Sequence, residues 1–532
     1  MSNNQRPYES MKINVAQLSD QLVQFHGGSF HESLYPKGHI EGVISYGPPG
    51  IGKTQSVMAA AERMAKENGY ELVIYKPGVK ADPTKKQLLF VHMSMAGMTS
   101  GRIAGYPTTA VEDQILDSDT TEVKNAKTKR YVSRQVIPTI WRTAMEFPAA
   151  MYLFDEITHV VSQEAMLSLL SEGFYEETSL SQRALFVATA NEGIADGTVQ
   201  QKLSTAFRNR FTSYYVRGDV DVWRKQYANQ KVHPACLAYA SVYKERFQSF
   251  QTPDDNLLNT ATLRSLTRLS EDIQYFEMRN FKKQKKDANG NIILDPKGEM
   301  KEHIEISTEQ EAQLMRVAYG LLGKESYALD FVSMYTLAFA QVIPEIKNVM
   351  NDRPVSAAFK AAIDIDSPEH VKAQKEMQDG SKRNEAKLKN AQDNIAKAYT
   401  YVDYLPRMVL DAWKGLPTHP QVVEKGYDKK PDALRGMTKQ LMTNFLKGVL
   451  LLPSNMRMMA LHHLIELCET PEIISAGAPF EDDSFRVKDS SIPATILFKV
   501  ITDNADKPEF AKLQDAIKDM KEAKSIADEL KI

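Results

Sequence analysis

The first half of the sequence predicts an α/β fold, a parallel sheet with helices on both faces. A helical lid and then a mainly helical C-terminal region are expected to follow. Three short, largely apolar runs, residues 43–46, 149–154 and 184–190, are typical of buried parallel strands. They precede, in turn, a glycine-rich loop, two carboxylates and an asparagine. Because the carboxyl ends of parallel strands meet at one edge of a sheet, we expect a single site there.

The glycine-rich loop is a complete phosphate-binding motif. It consists of Gly47, Pro48, Pro49, Gly50, Ile51, Gly52, Lys53 and Thr54. Glycines at 47 and 52 suit a backbone that curls tightly enough for its N–H groups to face phosphates. Lys53 is expected to reach the β- and γ-phosphates and Thr54 to offer a hydroxyl to Mg²⁺, at the positive end of the following helix. The motif predicts a nucleoside triphosphate ligand, and a glycine-rich surface turn is the alternative.

Two carboxylates, Asp155 and Glu156, end the second run. We expect Asp155 to hold Mg²⁺, directly or through water, and Glu156 to polarise the water that attacks the γ-phosphate. This pair suits hydrolysis rather than transfer to a substrate hydroxyl, and a solvated acidic helix start is the alternative. Asn191, after the third run, is a candidate sensor of the γ-phosphate and the attacking water, and a simple turn residue is the alternative.

Roughly half of the chain, from Val43 to about Leu269, resembles an AAA+ ATPase, and more narrowly the MoxR-type branch of that superfamily. Residues 47–54 have the AAA+ form of the phosphate loop, residues 154–157 are similar to the second motif, and residues 189–191 are similar to the first sensor. The resemblance implies an AAA+ P-loop parallel-sheet core with a helical lid. It also implies ATP and Mg²⁺ as ligands and hydrolysis of ATP to ADP and phosphate.

The same resemblance implies functional roles for three arginines. The segment 203–211 is similar to the one that carries an arginine finger, with Arg210 favoured over Arg208, and residues 262–266 resemble the second sensor, with Arg264 in that role. A finger acts on the nucleotide of a neighbouring subunit, so the resemblance implies self-assembly, most often into a hexameric ring. A guanidinium delivered to the γ-phosphate stabilises transition-state charge. A solvated charge cluster is the alternative for Arg208 and Arg210.

Two long segments depart from the compact family pattern. Residues 93–136 fall where the family has pore-facing loops, so Met93, Met95, Met98 and Tyr106 are candidates to grip a translocated segment, and inward packing of the methionines is the alternative. Residues 281–306 form a lysine-rich insertion with an Asn-Gly turn. This insertion is either a contact for nucleic acid or an acidic partner, or a solubilising surface.

Four regions follow from these observations. They are an N-terminal helical extension (1–40), the nucleotide-binding domain (41–216), the helical lid with its insertion (217–340) and a C-terminal region of unassigned role (341–532). In the last region the pattern predicts a charged helix over 372–399, a break over 406–431, an apolar helix over 441–467 and an amphipathic C-terminal helix. His462, His463 and Cys468 complete no metal-ligand spacing.

Composition bounds the function. A formal net charge of −2 gives no general attraction to nucleic acid, so DNA or RNA is a partner that the sequence does not favour. Two cysteines, the lack of an apolar signal core and the lack of a membrane-length apolar stretch predict a cytoplasmic protein with no membrane contact.

Three functions remain. The leading one is a chaperone-like motor that remodels or assembles a protein client, with a separate protein carrying a von Willebrand A domain as a candidate partner. A nucleic-acid motor or loader of the same fold is the second. The third is a nucleotide-gated scaffold without appreciable turnover.

Overall fold

The computed structural model describes residues 11–113, 129–159, 183–191, 203–248, 260–280, 306–368, 385–482 and 491–504, with short pieces at 167, 170, 174–175, 178–179, 181, 371–372, 506–507 and 513. The described chain divides into two compact units. One contains the described residues up to Val222, together with Gln248, and the other contains Trp223–Phe247 and the described residues from 260 onward.

The first unit alternates strands and helices. Its strands are β1 (His39–Tyr46), β2 (Glu71–Ile74), β3 (Gln87–Ser94), β4 (Tyr106–Asp113), β5 (Lys129–Val136), β6 (Ala149–Asp155), β7 (Phe174–Tyr175), β8 (Thr178–Ser179), β9 (Arg183–Ala190) and β10 (Thr212–Tyr215). Its helices are α1 (Val15–Gln21), α2 (Lys53–Glu67), α3 (Ser100–Ala104), α4 (Thr139–Met145), α5 (Thr205–Arg208) and α6 (Val220–Trp223), the last of which ends in the second unit.

Within the described part of the first unit, six strands form one sheet in the order β10, β1, β9, β6, β3, β2, and every pairing is parallel. This arrangement confirms the predicted α/β fold. The strands β4 and β5 form a separate antiparallel pair, as do β7 and β8. Because β9 lies between β1 and β6, the ends of all three predicted strands meet at one edge of the sheet.

Both faces of the central strands are buried, which explains why their sequences lack a polar alternation. On one face Phe154 and Phe186 stack at 5.3 Å between ring centroids, and Trp141 of α4 and Phe207 of α5 belong to the same core. The opposite face is covered by α2 and by the N-terminal segment, through residues such as Leu18. The sheet is therefore a rigid support for whatever its carboxyl edge carries.

The N-terminal segment is part of this core. The helix α1 continues as a π-helical turn, Leu22–His26, and a 3₁₀ turn, Gly27–Phe30. Its start is pinned to the end of β10, because the Ile13 amide donates to the Tyr215 carbonyl at 2.9 Å. The buried Ser56 hydroxyl of α2 donates to the Val15 carbonyl at 2.5 Å. The predicted extension is helical over residues 15–30, whereas residues 31–37 are exposed and not helical, and β1 already begins at His39.

The second unit is helical in its described part. Its helices are α7 (Asn229–Lys231), α8 (Pro234–Val242), α9 (Glu245–Gln248), α10 (Leu263–Asn280), α11 (Thr308–Leu322), α12 (Glu325–Leu337), α13 (Ile343–Met350), α14 (Ala357–Ile363), α15 (Glu385–Gly415), α16 (Pro420–Glu424), α17 (Pro431–Leu450), α18 (Ser454–Cys468), α19 (Pro471–Ser475) and α20 (Ile492–Asp503). A π-helical turn, Arg224–Ala228, precedes α7, and another, Ala338–Val342, joins α12 to α13.

A buried ion pair ties the start of this unit to α15. Both terminal nitrogens of Arg224 donate to the two carboxylate oxygens of Asp403, which is fully buried. Burial raises the pKa of Asp403 while Arg224 and His463 lower it, and the net pKa lies below the ordinary value. His463 of α18 is also fully buried, bonds the Asn229 carbonyl at 3.0 Å, and has a pKa lowered chiefly by burial.

Several predicted elements of the second half differ from the structure. The predicted division at residue 340 falls inside the π-helical turn Ala338–Val342, and the residues on either side of it belong to one compact unit. The predicted break over 406–431 is wrong at its start, since Pro406 lies inside α15. The predicted apolar helix over 441–467 is two helices, because the chain turns at Pro453 between α17 and α18.

Other predictions fall largely outside the described residues. The lysine-rich insertion lies there except for residue 306, as does most of the amphipathic C-terminal helix. Over the ranges that the structure describes, none of the helices has both the length and the apolar character needed to span a membrane.

Candidate active site

The phosphate-binding loop connects β1 to α2, as the motif requires. Two of its glycines have left-handed backbones, with φ of 78° at Gly50 and 98° at Gly52. At Gly52 a Cβ would meet no heavy atom closer than 3.9 Å, so the backbone conformation and not crowding favours glycine there. Gly52 directly precedes Lys53, the first residue of α2, which aims the amino end of that helix into the loop.

Gly47 serves a purpose other than the one expected from the sequence. A Cβ at this position would lie 2.3 Å from the Val216 carbonyl oxygen, so the close approach of the chain after β10 requires glycine. The Gly47 amide donates to the Ala190 carbonyl at 3.1 Å. It therefore anchors the loop to the end of β9 and is already engaged, rather than facing an incoming phosphate.

Lys53 is folded back into the loop. Its side chain is only 8% exposed, and its Nζ donates to the carbonyls of Gly47 at 2.6 Å and Pro48 at 2.8 Å. These bonds hold the ammonium group against the loop that it would serve. The arrangement presents a buried cation together with a helix amino end, two features that attract an anion.

Thr54 and Asp155 meet although 101 residues separate them. The Thr54 hydroxyl donates to Oδ2 of Asp155 at 3.3 Å, which joins the start of α2 to the end of β6. A hydroxyl and a carboxylate so placed suit Mg²⁺, which binds through one or two carboxylates plus substrate phosphates. No cluster of three or more His, Cys, Asp or Glu side chains fit to hold a metal occurs among the described residues. A Mg²⁺ held partly by phosphate does not need such a cluster.

Two further side chains contact Asp155: Thr189, which lies in the segment similar to the first sensor but received no role of its own, and His92, which belongs to no predicted motif. The Thr189 hydroxyl of β9 donates to Oδ1 of Asp155 in a short hydrogen bond. The ring Nε2 of His92, on β3, lies 3.4 Å from Oδ2 of the same carboxylate. Both residues are polar and interrupt an apolar strand just before its carboxyl end. That pattern in the sequence could have identified them.

Glu156 has a left-handed backbone, with φ of 58°. That conformation is uncommon for a residue with a side chain. Two bonds hold it, since the Glu156 amide donates to the Thr189 hydroxyl at 3.2 Å and the Glu156 carbonyl accepts from the His159 amide at 2.9 Å. The residue itself is exposed, so its carboxylate stands at the rim of the site, open to water.

Asn191 follows the last residue of β9 and is half-buried. Its neighbour Ala190 accepts the amide of Gly47. Since β9 runs between β1 and β6, Asn191 leaves the sheet between the phosphate loop and the carboxylates. The role of Asn191 as a sensor stays a prediction.

The three predicted arginines lie in different surroundings. Arg208 and Arg210 are exposed at the end of α5, where Arg208 donates to the Thr205 hydroxyl at 3.4 Å and Arg210 to the Ala206 carbonyl at 2.8 Å. The charge of Arg208 acts on Tyr46: burial raises the pKa of this tyrosine to about 12, and the positive charge of Arg208 partly opposes that rise. Arg264 is exposed near the start of α10, in the second unit.

Two of the methionines proposed to grip a translocated segment lie in the core. Met95 is fully buried and Met93 nearly so, so the pore-loop interpretation of these two side chains is wrong. Met98 is only partly buried against the same core, and its role stays a prediction. Tyr106, at the start of β4, is 61% exposed.

No family model matches the chain. No curated protein sequence matches it either.

Proposed function

We propose that this chain is an ATPase of the AAA+ type, similar to the MoxR branch, and that it hydrolyses ATP to ADP and phosphate. The observation that carries the proposal is the hydrogen bond between Thr54 and Asp155, which joins the phosphate loop to the acidic strand end. A loop alone can occur in a surface turn. A loop with a buried lysine and an adjoining carboxylate has the parts that phosphoryl transfer needs.

Each residue has a role in the proposed reaction. The loop, residues 47–54, holds the phosphates, and Lys53 turns from its carbonyl partners toward the β- and γ-phosphates. Thr54 and Asp155 would hold Mg²⁺, which neutralises charge on the phosphates when bound. Glu156 accepts the proton of the attacking water and Asn191 orients that water. Hydrolysis is favoured over a passive scaffold because a polarising carboxylate has no use without an attacking water.

Assembly and clients belong to the same proposal. Arg210 and Arg208 are exposed, which suits an arginine finger that serves a neighbouring subunit, and self-assembly into a hexameric ring follows. Arg264 is proposed as the second sensor. We propose a cytoplasmic protein client as the object of the motor, with a separate von Willebrand A domain protein as candidate partner. The near-neutral charge gives no support to nucleic acid.

Steady-state hydrolysis by Glu156→Gln tests the proposal. The variant should bind a fluorescent ATP analogue as the unmodified protein does, with turnover lower by roughly 10²- to 10⁴-fold because no group accepts the proton of the water. Glu146→Gln is the matched control, an exposed glutamate at the end of α4 in the same unit, and should hydrolyse normally.

Other outcomes discriminate among the functions. Retained turnover in Glu156→Gln would remove that residue from its role. Binding without turnover in the unmodified protein would favour the scaffold. Strong stimulation by one polynucleotide, with single-stranded DNA, double-stranded DNA and RNA each added in turn, would favour the nucleic-acid motor.

A further inference from the structure

Thr189 makes one hydroxyl serve both residues of the acidic pair. Its Oγ1 donates a short hydrogen bond to Oδ1 of Asp155 and accepts the amide of Glu156 at 3.2 Å. A threonine hydroxyl has one proton to donate and lone pairs to accept. Both contacts can therefore exist at once. Asp155 and Glu156 are thus both held by one residue of the neighbouring strand β9.

The fold determines where this hydroxyl points. Thr189 is 2% exposed on β9, flanked by β1 and β6, with Ser45 opposite it on β1. A β-branched side chain has few rotamers, and neighbours on both sides restrict it further. The hydroxyl thus has a fixed position relative to the end of β6, which the exposed side chain of Glu156 does not have by itself.

The backbone of Glu156 needs that support. Its left-handed conformation is disfavoured for a residue with a Cβ and persists only where the surroundings hold it. The Thr189 bond fixes the amide side of Glu156, and the His159 bond fixes its carbonyl side. Without the former, the peptide between Asp155 and Glu156 can turn and move the Glu156 carboxylate away from the water.

The same hydroxyl distinguishes the two oxygens of Asp155. Oδ1 is taken by Thr189, whereas Oδ2 lies 3.3 Å from the Thr54 hydroxyl. Thr54 and Oδ2 are the pair that faces the phosphate loop. Thr189 therefore favours the carboxylate orientation in which Oδ2, beside the Thr54 hydroxyl and the His92 ring, would be available to Mg²⁺.

We propose that Thr189 is a positioning residue for hydrolysis, holding Asp155 and Glu156 in register through its single hydroxyl. This inference rests on the proposed ATPase function. It concerns neither nucleotide recognition nor the γ-phosphate contact assigned to Asn191. The role predicts a loss of turnover at unchanged affinity for ATP, because the phosphate loop and Lys53 are untouched.

The test compares Thr189→Val with Thr189→Ser. Valine keeps the branched shape and removes the hydroxyl, so kcat should fall roughly 10- to 100-fold, the usual effect of losing a partner that orients a metal ligand. With Mg²⁺ in excess, KM for ATP should stay unchanged, since an interaction that matters only in the transition state lowers kcat and not substrate binding. Serine restores the hydroxyl and should restore kcat.

Ser45→Ala is the matched control. Ser45 is a fully buried hydroxyl at the same level of the sheet, and it donates to the Ala188 carbonyl at 3.2 Å. Its loss should leave kcat close to that of the unmodified protein. An equal loss of kcat in Ser45→Ala would show that packing at this level of the sheet matters, rather than the Thr189 hydroxyl. An equal loss in Thr189→Ser would show that the hydroxyl is not sufficient. Either result would overturn the role of Thr189.

The outcomes separate this inference from the function on which it rests. Normal turnover in a folded Thr189→Val overturns the role of Thr189 alone. Absence of turnover in the unmodified protein overturns hydrolysis and the role together. Circular dichroism and thermal melting establish folding for each variant, and if Thr189→Val fails to fold, Thr189→Ala against Thr189→Ser gives the same contrast.

Discussion

Asp403 and Arg224 illustrate how one residue of the unassigned C-terminal region contributes to the second unit. The Asp403 carboxylate has no exposed surface, and the Arg224 side chain is 5% exposed. A buried charge is tolerated because its partner neutralises it, and removing one partner leaves the other charge uncompensated. The pair therefore joins the start of the unit to α15 in a way that a surface ion pair would not.

We predict that Asp403→Asn lowers the free energy of unfolding of the second unit by about 3–5 kcal/mol, because Arg224 remains charged and buried. Urea denaturation followed by circular dichroism measures the loss. The control is Asp352→Asn, the same change in an exposed pair with Lys447 at 2.6 Å, which should cost about 1 kcal/mol or less. Equal losses in the two variants would contradict the buried-pair argument.

The sign of the pH dependence follows from the same carboxylate. The pKa of Asp403 in the folded chain lies below its ordinary value of 3.8. Its contribution to stability is therefore present above that value and is lost as the pH falls through the lower, folded pKa. Asp403→Asn should remove this acid-dependent part of the unfolding free energy.

At the level of single residues, the sequence predicted that the phosphate loop and the acidic strand end meet. Thr54 does contact Asp155, because motif spacing and parallel strands bring the two together. The contacts of Thr189 with Asp155 and Glu156 were not predicted, because they depend on which strand lies beside β6, and periodicity does not specify strand neighbours. Gly47 was predicted to let the loop face phosphates, but the group that requires glycine there is the Val216 carbonyl, 169 residues away in the sequence.

Among the elements, α1 shows that the N-terminal extension is structural. Leu18 of α1 is fully buried in the core that lies against α2. We predict that Leu18→Ala lowers the free energy of unfolding of the first unit by about 2–5 kcal/mol, since it removes packed apolar volume. Thermal melting compares it with Leu34→Ala, a leucine that is 63% exposed and should change stability by less than about 0.5 kcal/mol. A similar shift in both variants would mean that α1 is only loosely attached.

Two prolines explain the errors at the same scale. Pro406 was expected to end a helix, yet α15 continues through it, with Leu405 and Val409 fully buried on either side. Burial on this scale outweighs the loss of one backbone hydrogen bond. Pro453, in contrast, does end a helical run, and the preference of the preceding residue for extended backbone was a signal that the apolar pattern concealed.

For the whole molecule, sequence reasoning predicted the class of fold and a boundary near the one between the units, but it also predicted a second boundary, at 340, that lies within one unit. Alternating strand and helix patterns were enough to predict a parallel sheet. The boundary between the units lies at Val222, close to the predicted 216. The predicted boundary at 340 lies within the helical unit, because the buried contacts of Arg224, Asp403 and His463 connect segments of that unit that are far apart in sequence. The ring remains a prediction.

Arg210 tests the ring. Arg210→Ala should bind ATP normally and hydrolyse it roughly 10³-fold more slowly or worse, because no guanidinium reaches the neighbour's γ-phosphate. Mixing it with Lys53→Ala subunits should partly restore turnover, since each variant supplies what the other lacks. Arg208→Ala decides between the two candidates, and Arg142→Ala, exposed on α4, is the control. Failure of every mixture to regain turnover would argue against action between subunits.

The anchoring of Gly47 links the geometry of the phosphate loop to the completion of the first unit. The loop is held by Ala190 at the end of β9 and by Val216 beyond β10, and Val216 is itself bridged to Ile13. These contacts join parts of the chain made at very different times during synthesis, and such distant contacts form late in folding. A nascent chain that has emerged only as far as β6 would contain the whole motif but not its supports. If the proposed function is correct, ATP binding would then require a completed first unit.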